Sequence, residues 1–234
     1  MTDADEIRKR PPEAELLSLA VHELRTPVTV VSGYLRMLAR HQVGPLSERQ
    51  QKIVEEAERS CGRLTSLVAE LGELVNYDSG SVTLRRQDVA LRELLEGIVA
   101  EAEEGRDRGV KVAFSAEGDT IVVGDRVRLR TALSSLLLAV LREQTAAGEV
   151  AVTLGVREAQ GRPMAAIAIG RDVEPDRLFA ASNATLDEFR GGLGLALPIA
   201  RRIIDRHGGR VWSSGNGRLI GPVAVVLPLR ENRS

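Results

Sequence analysis

The sequence predicts a long α-helical hairpin, completed as a dimeric four-helix bundle by a second copy of the chain, followed by an α+β two-layer sandwich. Three observations predict it. Apolar residues recur at alternating spacings of four and three from Leu17 to Leu74, broken once by a turn cluster. After residue 81 the pattern changes to short β-like runs between helices, and the later runs fall in sequential pairs with helices to cover one face.

Composition bounds the function. The 234 residues are 43% hydrophobic, 28% charged and 3% aromatic, enough to bury a core. A net charge of -1, with both signs interspersed, excludes a strongly basic nucleic-acid binder. Apolar stretches such as Leu136 to Leu141 and Val223 to Leu227 are far shorter than the roughly 20 residues that cross a bilayer. Residues 1–12 run acidic then basic without an apolar centre, so they read as a flexible N-terminus and not as a signal peptide. The expectation is a cytoplasmic protein with no membrane insertion and no nucleic-acid partner. A lone cysteine, Cys61, can form neither an internal disulfide nor a thiolate cluster and reads as a small buried filler.

The first helix begins at Glu13 and lines one stripe with Leu17, Val21, Leu24, Val28, Val31, Leu35 and Leu38. Val43-Gly44-Pro45 stops it, and Ser47 with Gln50 three residues on gives a capping-box start for the second helix. That helix carries its own seam, Ile53, Ala57, Ser60, Leu64, Leu67, Leu71 and Leu74, and ends near Asn76 before the Asp78-Ser79-Gly80-Ser81 loop. Residues 13–76 thus form a hairpin, with a linker over 77–83. Each helix buries only one seam and leaves apolar surface wet, which predicts a homodimer.

Residues 84–229 form the second domain, and 230–234 a tail. The predicted strands are Val82–Leu84, Lys111–Phe114, Ile121–Val123, Val150–Val156, Ala165–Ile169, Val211–Ser213 and Val223–Leu229. Helices are predicted over Leu91–Glu103, Arg126–Glu143 and Leu195–Arg206. The segment Glu174 to Gly191 has only Leu178, Phe179, Leu186 and Phe189 as apolar anchors and reads as a mobile surface loop.

The chemistry lies in His22-Glu23-Leu24-Arg25-Thr26-Pro27. Val21 and Leu24 sit on the seam, so His22 falls on the solvent-facing flank, where an imidazole nucleophile is reachable. Glu23 can hold one ring nitrogen in the tautomer that frees the other, or act as general base. Thr26, one turn on, can position a water or a phosphoryl oxygen. Pro27 has no N–H, so the Glu23 carbonyl loses its helical partner and the helix is expected to loosen beside the histidine.

This string resembles the H-box of two-component sensor histidine kinases, in their HisKA-type dimerisation and phosphotransfer domain. The rest of the chain, to about residue 229, resembles the family's Bergerat-type (GHKL-like) HATPase domain. The resemblance implies a protein-histidine kinase in which His22 takes a phosphoryl group from Mg-ATP and exchanges it with a response-regulator aspartate. Together with the homodimer expected from the seams, input from a separate sensor protein is expected, since no sensor domain precedes Glu13.

The nucleotide motifs are uneven. Gly192-Leu193-Gly194-Leu195-Ala196 followed by Ala200-Arg201-Arg202-Ile203 and His207-Gly208-Gly209 matches the family's glycine box, where backbone N–H groups meet phosphate at a helix N-terminus. The adenine-binding DxGxG box falls on Ala168 to Asp172, keeping Gly170 but placing Ala168 at the aspartate. Loss of that charged acceptor removes roughly 1.5 to 3 kcal/mol. The metal-binding asparagines fall on Ser135 and Ala139, and no Asn, Asp or Glu occurs between Arg126 and Arg142 to supply hard oxygen ligands. ATP and Mg2+ are the cofactors the family implies; weak binding through Gly170, Gly192 and Gly194, with no protein metal ligand, is what these residues predict. An alternative function follows: a pseudokinase acting as histidine phosphotransferase or response-regulator phosphatase without ATP-dependent autophosphorylation.

Overall fold

A computed structural model describes residues 12–118, 120–159, 161–173, 175–180, 194–214 and 221–230. The chain divides into two compact units, Met1–Val82 and Thr83–Ser234. In the first, α1 (Pro12–Ala39) packs along α2 (Glu48–Asp78). Helix α1 ends four residues before the predicted breaker, because the chain turns over earlier: His41 adopts φ 56 and the Gln42 N–H donates to the Met37 carbonyl. The predicted capping box forms, with the Gln50 N–H donating to the Ser47 hydroxyl and the Ser47 N–H to the Gln50 side chain. Val21 and Cys61 are buried between the helices, the Cys61 sulfur lying 3.1 Å from the Ser32 hydroxyl. Leu24, Val31, Ile53, Leu64 and Leu67, all seam residues, remain exposed in the single hairpin.

The second unit contains β1 (Gln87–Ala90), α3 (Leu91–Glu101), β2 (Val110–Ala116), β3 (Ile121–Gly124), α4 (Arg126–Arg142), β4 (Gly148–Ala159), β5 (Arg162–Gly170), α5 (Pro175–Ala180), α6 (Ala196–Arg206), β6 (Arg210–Ser213) and β7 (Val223–Pro228). The main sheet has the order β2-β4-β5-β7-β6, with β2 parallel to β4 and the other pairs antiparallel. The first strand is not at Val82–Leu84. It lies at Gln87–Ala90, antiparallel to β3, because Val89 is the residue that buries, opposite Val122, while the Arg85 N–H is taken by the Asp125 carboxylate.

Helices α3, α4 and α6 pack together against the sheet. Side chains alternate across a strand, and β5 is buried on both faces. Met164, Ala166 and Ala168 gather with Leu178, Trp212, Ala224 and Val226 in a cluster that contains no residue of those three helices. Ala165, Ile167 and Ile169 therefore face the helical layer, and the first set faces away from it. Where a loop is predicted, α5 covers this second face: the Trp212 indole N–H donates to the Leu178 carbonyl, Phe179 meets the Trp212 ring edge-on at 5.7 Å, and Arg157 pairs with Asp176 at 3.1 Å. Leu186 and Phe189 lie outside the described residues.

A buried clamp joins α4 to the end of α6. The Asp125 carboxylate caps α4 by accepting from the N–H groups of Val127 and Arg128. The Asp125 N–H donates to His207 Nε2 at 2.9 Å, so His207 Nδ1 carries the proton it donates to the Ile203 carbonyl. Burial, aided by the Arg86 charge, holds the His207 pKa below its ordinary value against the pull of that hydrogen bond. Burial acts to raise the Asp125 pKa, but the hydrogen bonds from Arg85, Arg128 and Val127 outweigh it and the value is lowered.

Candidate phosphotransfer site

Helix α1 runs without interruption through Pro27 and presents His22 with a 75% exposed side chain. The Pro27 ring removes one intrahelical N–H but does not end the helix, and the turn is stitched on its far side by the Thr29 hydroxyl donating to the Arg25 carbonyl at 2.8 Å. Glu23, 73% exposed, places Oε1 3.9 Å from His22 Nδ1. A carboxylate on that side of the ring can accept from Nδ1–H, the tautomer that leaves Nε2 as the nucleophile. Thr26 is exposed one turn on.

A cleft of about 160 Å³ opens between α1 and α2 at His22. Val21 and Val75 are its buried apolar residues, and Ser18, Arg25 and Asn76 bring polar groups to it. Gly72 completes the wall: a Cβ there would stand 3.2 Å from Val21 Cγ1 and 3.5 Å from Arg25 Nη2. Sequence reading passed over Ser18, Arg25, Gly72 and Asn76. The available signal was Gly72, a glycine in a helix interior, which costs about 1 kcal/mol relative to alanine and so asks for a reason.

Two families match this chain. Residues 13–80 match the His Kinase A (phospho-acceptor) domain, and residues 124–231 match the histidine kinase-, DNA gyrase B-, and HSP90-like ATPase. The chain belongs to the sensor histidine kinase family. Over 219 residues it is 31% identical to the signal transduction histidine-protein kinase BaeS of Escherichia coli (strain K12), covering 90% of this chain and 46% of the relative. Over 209 residues it is 30% identical to the sensor protein DivL of Caulobacter vibrioides, covering 84% and 26%. Over 234 residues it is 30% identical to the sensor histidine kinase TrcS of Mycobacterium tuberculosis, covering 94% and 44%. The chain therefore spans less than half the length of each of these relatives. The fold is shared with full-length ShkA, crystallised in complex with AMPPNP, at a TM-score of 0.69 and 23% identity over 94% of this chain and 47% of that one.

Histidine kinases of this family generally form homodimers and phosphorylate response regulators, and their ATPase domain binds ATP, so the nucleotide positions can be tested against the structure. They fit poorly. The family's metal helix is α4, where Ser135 is half-buried and Ala139 fully buried with no oxygen-bearing side chain. Among the described residues no group of three or more His, Cys, Asp or Glu could hold a metal ion. Ala168, set at the adenine aspartate by the Gly170 alignment, does not face the layer of α4 and α6 at all; it lies in the Trp212 cluster on the other face. Ile169, almost fully buried, is the side chain that β5 sends toward that layer at its end. Neither can accept from an adenine amine.

The glycines divide. Gly170 is committed to packing, since a Cβ would come within 2.8 Å of Pro222 Cβ and 2.7 Å of Val173. Gly194 turns the chain into α6 at φ 59, as the glycine box requires. Gly192 lies outside the described residues. Asp172, at the second glycine of the DxGxG box, takes φ 50 and so keeps the left-handed turn while adding a carboxylate. Among the described residues no helix is long and apolar enough to cross a membrane.

Proposed function

We propose that this chain works in two-component signalling by carrying a phosphoryl group on His22 and exchanging it with an aspartate of a response regulator, with Mg-ATP-dependent autophosphorylation weak or absent. The observation that carries the reading is the contrast at the two reacting ends: an exposed His22 with Glu23 at Nδ1, against a nucleotide side built from Ile169 and Ala139.

In the transfer, His22 Nε2 attacks phosphorus, the bond from phosphorus to the regulator's aspartyl oxygen breaks, and that aspartate leaves as a carboxylate. The proton stays on Nδ1, where Glu23 balances the charge that forms on the ring. Reversal passes the group back. The metal on the aspartyl phosphate belongs to the regulator, so α4 need supply none. Thr26 positions the water for hydrolysis, so Thr26→Ala changes the lifetime of the phosphohistidine more than its formation. The exposed seam residues Leu24, Val31, Ile53, Leu64 and Leu67 support a homodimer through the hairpin.

Purified protein incubated with labelled Mg-ATP and, separately, with labelled phospho-regulators from the same genome tests this. Label is expected only in the second arm. Rapid labelling from ATP overturns the weak-autokinase half, and absence of label with every regulator overturns the phosphotransfer half.

A further inference from the structure

The cleft at His22 has a composition that the exchange reaction alone does not explain. Its polar groups besides His22 are the Arg25 guanidinium, a donor only, and the Ser18 hydroxyl and Asn76 amide, which can each donate; no carboxylate lines it. Ser18, His22 and Arg25 are spaced i, i+4 and i+7, so they share one face of α1. Glu23 approaches the imidazole from its Nδ1 edge and is not part of the lining, which keeps its negative charge off the cleft. The absence of a side chain at position 72 leaves room there: a methyl group would crowd Val21 at 3.2 Å and come into van der Waals contact with the Arg25 guanidinium at 3.5 Å. A helix-weakening glycine, facing an arginine, beside an exposed histidine, in a cleft that holds a cation and no carboxylate, suits an oxyanion.

We propose that this cleft holds the oxygens of the phosphoryl group while it is bonded to, or arriving at, His22, with Arg25 as the binding cation and Gly72 as the residue that keeps the cleft open. The proposal rests on His22 as the phosphoryl carrier and deepens it. The subsite lies on the hairpin, between two helices of one chain, and takes nothing from the second unit. Its ligand class is a tetrahedral or trigonal phosphoryl oxyanion. With no phosphoryl group present Arg25 has no oxyanion to oppose in the cleft, so it acts on phosphoryl binding and transfer more than on resting stability.

The test uses the full chain and phosphoramidate, a small donor whose phosphorus–nitrogen bond breaks with loss of ammonia as the bond to imidazole forms, so that neither regulator nor ATP is needed. Phosphohistidine formation is followed by phosphorus NMR in wild type, Arg25→Gln, Arg25→Lys and Gly72→Ala. Formation is expected to slow about fivefold or more in Arg25→Gln, with partial rescue in Arg25→Lys. Gly72→Ala is expected to slow it while melting at the same or a higher temperature, since alanine is the better helix former; a purely structural glycine predicts no slowing. Titration with inorganic phosphate gives a second readout: the His22 ring resonances should move saturably in wild type and not in Arg25→Gln or Gly72→Ala. Wild-type rates in both variants, with unchanged phosphate shifts, would overturn the subsite. Slowed variants alongside a wild type that accepts nothing from any phospho-regulator would leave the subsite standing and overturn the exchange reading alone.

Discussion

The two places where the family handles a phosphoryl group are built in opposite ways in this chain. On α1 His22 is exposed, polar on its flanks, and set beside a cleft walled by Gly72. At the end of β5 and along α4 the corresponding positions are filled with Ile169, Ala139 and Ala168, all essentially without solvent contact. The proposed phosphotransfer side keeps open polar space, whereas the positions aligned with the family's adenine and metal ligands are apolar core, where each atom contributes to stability through burial.

The largest expected effect breaks the hairpin side of that contrast. His22→Ala should eliminate all label taken from a phospho-regulator, read on a denaturing gel, and persistence of label would move the acceptor elsewhere. Next, Ala168→Asp tests the closed side. Because Ala168 packs with Leu178 and Trp212, a carboxylate there should destabilise the second unit by about 3 kcal/mol or more, measured by urea unfolding, without strengthening ATP binding in calorimetry. Tighter ATP binding by this variant, or by Ala168→Asp with Ala139→Asn, would show that the β5 end still faces the nucleotide. A third variant probes the exposed seam: Leu64→Glu should convert a two-chain species into single chains at micromolar concentration by light scattering, and an unchanged mass would place the dimer contact elsewhere.

The smallest effect is a pH slope confined to the clamp. His207 is held neutral when folded, with its pKa below the ordinary 6.5, so the unfolded chain binds the proton more readily. Its contribution is complete above 6.5 and declines as pH falls from there through the lowered folded value. Asp125, lowered from 3.8, keeps its contribution above that value and loses it further into acid. Melting temperatures of His207→Gln should therefore show a flatter dependence just below pH 6.5 than wild type, with the Asp125 limb retained at lower pH.

Legibility in the sequence followed the range of the interactions. The seams, the Ser47–Gln50 capping box and the His22 string are local patterns with a fixed period, and they could be placed without tertiary knowledge. The strand at Gln87–Ala90 could not, because what selects it is burial of Val89 against Val122, thirty-three residues away, which the alternating Val82-Thr83-Leu84 pattern does not reveal. Alignment on Gly170 assigned Ala168 a position but not a face, and a strand reverses its face at every residue. The His22 cleft was invisible for a third reason: Gly72 and Arg25 stand forty-seven positions apart and meet only when the hairpin closes.

The docking of α5 has a practical consequence. Trp212 is the only tryptophan of the chain, and its indole N–H is held by the Leu178 carbonyl while Phe179 meets its ring edge-on. Intrinsic fluorescence excited at the indole band therefore reports one event, whether α5 sits on the sheet. Docked, the buried ring emits toward the blue; lifted, it meets water and shifts to the red. The chain carries an unlabelled optical gauge for the segment that follows β5, readable in the presence of any regulator that itself lacks tryptophan.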